Sequence, residues 1–193
     1  MNLHNKRVRL DFSVADAEVL LEKIRYFCSY RERSEKETVQ KLKSMKLPFP
    51  KITSIIKQLK NEGFIDDERF ARAFVRGKWR VNHWGRTRIA YELRAKGMPE
   101  KIIKPALEEI EKEDYRQGLI EIVRKYVTKD VRKYVRKDVG KGAKNMGKVV
   151  VKRSEVENIS GEKFHLKDKI FNFALGKGYE PDLILEILHE LKL

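Results

Sequence analysis

Only one of the 193 residues is a cysteine, Cys28. No internal disulfide can staple this chain, and the reducing cytoplasm is its simplest compartment. Long apolar runs are also missing. None approaches the roughly 20 residues that a membrane-spanning helix needs, so no membrane contact is expected. The first fifteen residues hold Lys6, Arg7, Arg9 and Asp11 but no apolar core, which does not read as a secretory signal. The four histidines, His4, His83, His165 and His189, are scattered, and none has metal-ligand spacing to another His or to Cys28. The run Gly140-Lys-Gly-Ala-Lys144 lacks the frame of a phosphate-binding loop. Asp66, Asp67 and Glu68 could mimic a Mg²⁺ site, but capping a helix explains them better. With no acid–base or nucleophile constellation, the expectation is a non-enzyme with no catalytic residue, no cofactor and no metal.

What the chain does have is a register used three times. From Thr38, offsets of 4, 9, 14, 18 and 21 residues reach Leu42, Leu47, Ile52, Ile56 and Leu59. From Ile89 they reach Leu93, Met98, Ile103, Leu107 and Ile110. From Ile170 they reach Ala174, Tyr179, Ile184, Leu188 and Leu191. Each match is two helical half-stripes around a break, which carries Lys46, Gly97 and Gly178 in turn. Glycine is the residue expected just past a helix end. A unit whose apolar face cannot be buried alone must stack on its neighbours. The expected fold is all-α: three tandem three-helix repeats forming an elongated, curved array.

The expected boundaries are a leader over 1–15, repeat one over 16–62, repeat two over 63–110 and repeat three over 111–193. In the leader, Val8, Leu10 and Phe12 alternate with Arg9 and Asp11, as a short strand or a frayed tail. Ser34 with Glu37 three residues on is a capping box that opens a helix. Pro48 and Pro50 precede the third helix of repeat one, expected over about 52–60, and Pro99 precedes that of repeat two. Pro105 falls inside the latter and should kink it or lie near enough to its start to be tolerated. In repeat three, Arg124-Lys-Tyr-Val-Thr-Lys-Asp-Val131 is duplicated at once as Arg132-Lys-Tyr-Val-Arg-Lys-Asp-Val139, with one change. Leu93 lies 51 residues after Leu42, but Ala174 lies 81 after Leu93. The extra length marks a basic low-complexity insertion over 127–160. Val127, Val131 and Val135 recur every four residues, which favours a helical start that frays by Gly140.

Charge is the second constraint. The net charge is +15. Residues 124–153 hold twelve basic side chains against Asp130 and Asp138; residues 18–110 hold 22 basic and 13 acidic. Such asymmetry favours a polyanionic partner. The densest stretch is 69–96, with nine basic side chains against Glu92 alone. Arg69, Arg72, Arg76 and Arg80 form one helical stripe, away from Phe70 and Phe74. Lys78, Arg86, Arg88, Arg94 and Lys96 complete the patch, and Arg31 and Arg33 extend it from repeat one. A solvated face should carry acids four residues away, and almost none are present. Arginine's forked donors suit phosphate or carboxylate. Trp79 and Trp84 could stack on a base or pack as helix corners, packing being the commoner role.

Three stretches carry a resemblance. They are Tyr30-Arg-Glu-Arg-Ser34, Leu59-Lys-Asn-Glu-Gly-Phe-Ile-Asp-Asp-Glu-Arg-Phe-Ala71 and Gly85-Arg-Thr-Arg-Ile-Ala-Tyr-Glu-Leu-Arg-Ala-Lys-Gly97. On these, the chain resembles the bacterial RecX family, regulators of the RecA recombinase. The resemblance runs from about Leu20 to Leu107 and resumes weakly after Lys167. Arg31, Arg33, Asp67, Arg69, Phe70, Gly85, Arg86, Leu93 and Gly97 fall on the family pattern. Arg86 stands where the family often has proline. The resemblance implies tandem three-helix repeats and a protein that binds the RecA–DNA filament, restraining recombinase, ATPase and coprotease activity in DNA repair and the SOS response. The expected partners are the RecA filament and single- and double-stranded DNA, with no membrane, and the expected state is a monomer. The rival reading is a free-standing basic nucleic-acid-binding protein without a recombinase partner.

Overall fold

A computed structural model describes the backbone of residues 14–138 and 160–193, and the side chains of 17–129 and 166–193. Most of the leader, and the insertion beyond residue 138, lie outside the described residues. Every regular element among the described residues is a helix. In chain order they are α1 (Val14–Ser29), α2 (Glu35–Ser44), α3 (Phe49–Asn61), α4 (Asp67–Arg80), α5 (Arg86–Ala95), α6 (Glu100–Glu108), α7 (Lys112–Asp138), α8 (Ser160–Lys177) and α9 (Pro181–Glu190). They fall into three triplets, as the register requires. Two compact units divide the chain, one ending at Phe70 and the other beginning at Ala71.

The first unit closes over Leu21, Ile24, Cys28, Leu42, Leu47, Ile52, Ile55, Ile56, Leu59 and Ile65. α2 packs against α3. Ser34 accepts from the Glu37 N–H at 3.2 Å and donates its own N–H to the Glu37 carboxylate at 3.4 Å, which is the expected capping box. α3 starts three residues before the expected Ile52. Pro50 sits in its first turn, where the missing N–H has no intrahelical partner to lose. Cys28 is buried beside Thr38, and burial pushes its thiol pKa up, as suits a small core residue.

In the second unit α5 packs on α6, α8 on α9, and α7 on both α8 and α9. Ile89, Leu93, Ile103, Ile170, Ala174, Tyr179, Ile184 and Leu188 from the register are buried, while Leu107 and Leu191 are half-buried. The three breaks share one geometry. Lys46, Gly97 and Gly178 all have positive φ, of 59°, 85° and 88°. At the two glycines the next residue's N–H returns five residues, Met98 to the Leu93 carbonyl and Tyr179 to that of Ala174, at 3.0 and 3.2 Å. This is the Schellman closure. Pro105 is accommodated as the sixth residue of α6. α7 continues through Asp138, so the duplicated tract prolongs this helix.

Candidate functional site

α4 and α5 carry most of the predicted basic patch, for simple local reasons. Asp66 accepts the Arg69 N–H at 2.9 Å and caps α4, which settles the acidic cluster as a helix start. No group of acids, His and Cys able to hold a metal occurs among the described residues. Apolar side chains at Val75, Ile89, Ala90 and Leu93 turn inward, which leaves the arginines outward.

The arginine stripe is not bare. Among the predicted residues of the first unit, Arg69 pairs with Glu32 at 2.7 Å and donates to the Gly63 carbonyl at 2.8 Å. Arg33 lies 4.0 Å from the Phe27 ring centre and donates to the Phe27 carbonyl, while Arg31 is exposed. In the second unit Arg72 and Arg76 share Glu109, at 2.8 and 3.7 Å, and Arg94 forks onto Glu100. The Arg94 guanidinium holds the Glu100 carboxyl below the usual range. Acids four residues away are few, but acids from distant segments also reach the stripe. The partners come from distant segments, Glu32 from the loop between α1 and α2 and Glu109 from the C-cap of α6, 37 residues off for both Arg69 and Arg72.

This pairing recurs in all three repeats. Arg25 of α1 forks onto Glu62 at the end of α3. Arg72 and Arg76 of α4 reach Glu109 at the end of α6. Arg116 of α7 holds Glu186 and Glu190 of α9. Each first helix is tied to its own third helix. Arg72 and Arg76 are still about half-exposed, at 48% and 52%, so each such pair contributes at most about 1 kcal/mol.

Arg86 is a correction to the predicted patch. Its guanidinium turns inward, donating to the Ile110 carbonyl at 2.7 Å and lying 4.2 Å from the Tyr115 ring centre. Its backbone N–H donates to the Tyr115 hydroxyl at 2.8 Å, a bond that proline could not make. Tyr115 in turn donates to Glu180 at 2.9 Å. Burial pushes the Tyr115 pKa up, and pushes Tyr179 up to about 12. Arg86 thus joins α5 to α7 and α9 and leaves the surface set.

The remaining cations gather at the turn between α4 and α5. Lys78 and Arg88 lie 4.7 and 4.1 Å from the Trp84 ring centre. Lys78 and Lys96 flank Phe74 at 5.4 and 5.6 Å. Arg80 lies 5.7 Å from the Trp79 ring centre. Both tryptophans are half-buried, in keeping with packed corners. Lys177, at the end of α8, donates to the Asn82 carbonyl at 3.1 Å. Sequence reasoning missed it, because 95 residues separate the two. Its one local signal was its place beside the helix-ending Gly178. That glycine also fixes the junction: Gly85 N–H donates to the Lys177 carbonyl at 2.8 Å and Thr87 N–H to the Gly178 carbonyl at 3.2 Å.

Residues 66–107 match the family model described as RecX, second three-helix domain. The chain is 29% identical over 161 residues to a regulatory protein RecX from Finegoldia magna, which covers 83% of this chain and 66% of that protein. It is 36% identical over 104 residues to the regulatory protein RecX of Bacillus subtilis, covering 54% of this chain and 39% of that one. The matches thus span from about two-fifths to just under two-thirds of these relatives. Among solved structures, RecX from Lactobacillus salivarius superposes with a TM-score of 0.68 at 20% identity, over 93% of this chain and 99% of that one. That likeness speaks for the fold.

Proposed function

We propose that this chain is a RecX-type regulatory protein that binds the RecA–DNA filament and modulates its recombinase, ATPase and coprotease activities, with inhibition the favoured sign; its likeness to regulatory proteins RecX supports the reading. One observation carries the reading. The stretch that matches the second three-helix domain, residues 66–107, contains the densest basic run of the chain, residues 69–96. Such a surface suits DNA phosphate or an acidic recombinase face. The surface residues proposed for this contact are Arg31, Arg33 and Arg69 in the first unit, and Arg72, Arg76, Lys78, Arg80, Arg88, Arg94 and Lys96 in the second. The mechanism is steric and electrostatic: occupying neighbouring protomers blocks access and disturbs filament growth. It needs no cofactor. Nothing in it requires a membrane, and no described helix is long and apolar enough to cross one.

The test is the DNA-dependent ATPase rate of RecA with this protein titrated in. A progressive fall supports the proposal. An unchanged rate at ratios that saturate the filament would favour a free-standing nucleic-acid-binding protein instead.

A further inference from the structure

The cations of the second unit divide by what they touch. Arg72, Arg76 and Arg94 face carboxylates. Lys78, Arg88 and Lys177 do not. Among the described residues, their partners are aromatic rings and backbone carbonyls: Trp84 and Phe74 for Lys78, Trp84 and the Gly176 carbonyl for Arg88, Phe173 and the Asn82 carbonyl for Lys177. All three are half-buried. A cation drawn partly out of water without a counter-charge is electrostatically unsatisfied, and an anion relieves it. The three come from α4, α5 and α8 and meet around one turn, residues 81–85. Arg88 donates to Gly176 at 3.0 Å, next in sequence to Lys177, so the arrangement is held by backbone as well as by rings.

We infer that this turn is a phosphate-backbone subsite for DNA, with Lys78, Arg88 and Lys177 as its cations. The inference rests on the reading of the basic surface as facing a polyanion, and it names where that contact is made. Contact is to backbone and not to bases, because the Trp84 ring already serves two cations and offers no stacking platform. A nucleic acid is the fitting polyanion. Duplex DNA carries a charge about every 1.7 Å of its axis, counting both strands, so a short duplex segment satisfies several fixed cations at once. Lys177 lies outside the stretch matched to the family's second domain, so the subsite uses a residue of the third repeat.

The test compares two double variants of the full chain, K78Q/K177Q and R72Q/R76Q, in binding to a labelled duplex of arbitrary sequence across a salt series. Helical circular dichroism and melting are followed in parallel. The K78Q/K177Q variant should flatten the slope of log affinity against log salt by about 2, roughly 1 for each phosphate no longer neutralised. It should do so equally on unrelated sequences. If the double variant melts early, K78Q and K177Q are measured singly, and each should give about half the change. A wild-type slope for K78Q/K177Q with a flattened one for R72Q/R76Q overturns the subsite and leaves the polyanion reading standing. Wild-type slopes for both variants remove that reading together with the subsite. A wild-type slope for K78Q/K177Q with loss of RecA inhibition assigns the turn to an acidic protein surface and also overturns it.

Discussion

Tyr115 and Tyr179 stack with ring centres 5.0 Å apart, yet their hydroxyls differ in kind. The Tyr115 hydroxyl accepts from the Arg86 N–H and donates to Glu180. The Tyr179 hydroxyl is buried and has no hydrogen-bond partner among the described residues. Removing a satisfied partner leaves a stranded donor, whereas removing an unsatisfied group leaves nothing behind. Tyr115→Phe should therefore lower stability by about 1–3 kcal/mol, while Tyr179→Phe should hold or raise it. The pH dependence follows from the raised pKa. Burial lifts Tyr179 to about 12 from an ordinary value of 10.0, so the unfolded chain loses this proton first. The stability contribution is complete below pH 10 and is lost as pH rises through about 12. Alkaline urea titrations should show the Tyr179→Phe protein losing less stability over that window than wild type. An equal loss would place the Tyr179 hydroxyl in water. Of this network the sequence offered only Tyr179, at a position of the repeated register. The bonds join residues 29 and 65 apart, beyond the reach of local spacing.

At the scale of elements, the register was legible because burial repeats at fixed offsets, and the breaks were legible because two of the three carry glycine. Lys46 is the instructive exception. It adopts φ 59° at the position where Gly97 and Gly178 adopt 85° and 88°. A left-handed conformation costs a residue with a Cβ about 1–2 kcal/mol, partly offset by the lower chain entropy of lysine relative to glycine. Lys46→Gly should leave the fold intact and raise the melting midpoint of the first unit, by up to about 1 kcal/mol in stability. A lower midpoint would mean that the lysine side chain has a role there. Gly85 is the opposite case. A Cβ placed on it would run into the Gly178 carbonyl, which is backbone and cannot swing aside. Gly85→Ala should destabilise the α5–α8 junction by at least about 2 kcal/mol, read by chemical denaturation. Gly63→Ala supplies the contrast: at φ 75° with nothing within 4 Å, it should cost only about 1 kcal/mol. The resemblance marked Gly85 as a residue of the family pattern, but local sequence could not show that a second glycine, 93 positions later, presses on it.

For the whole molecule the open quantity is how charge divides between the repeats and the duplicated tract. The basic stretch 69–96 became far less bare once the partner acids arrived from distant segments, and Arg86 turned inward. The tract of 127–160 retains ten basic side chains against Asp130, Asp138, Glu155 and Glu157, a net of +6. Its deletion tests what that charge does. The buried positions Tyr115, Leu119, Ile120, Ile122 and Val123 precede it, and Ile170, Ala174 and Tyr179 follow it. Removing 127–160 should therefore preserve the cooperative melt of the repeats. If the tract touches DNA, affinity for a duplex should fall and its salt slope should flatten, by about 1 for each phosphate that the tract had neutralised. Inhibition of RecA should survive in part, because residues 66–107 remain. The informative comparison is between the slopes of the full and shortened chains. Equal slopes would show that these ten cations never displace counterions from phosphate. The subsite at the Trp84 turn would then carry the electrostatic contact, and the duplicated residues would serve only to lengthen α7.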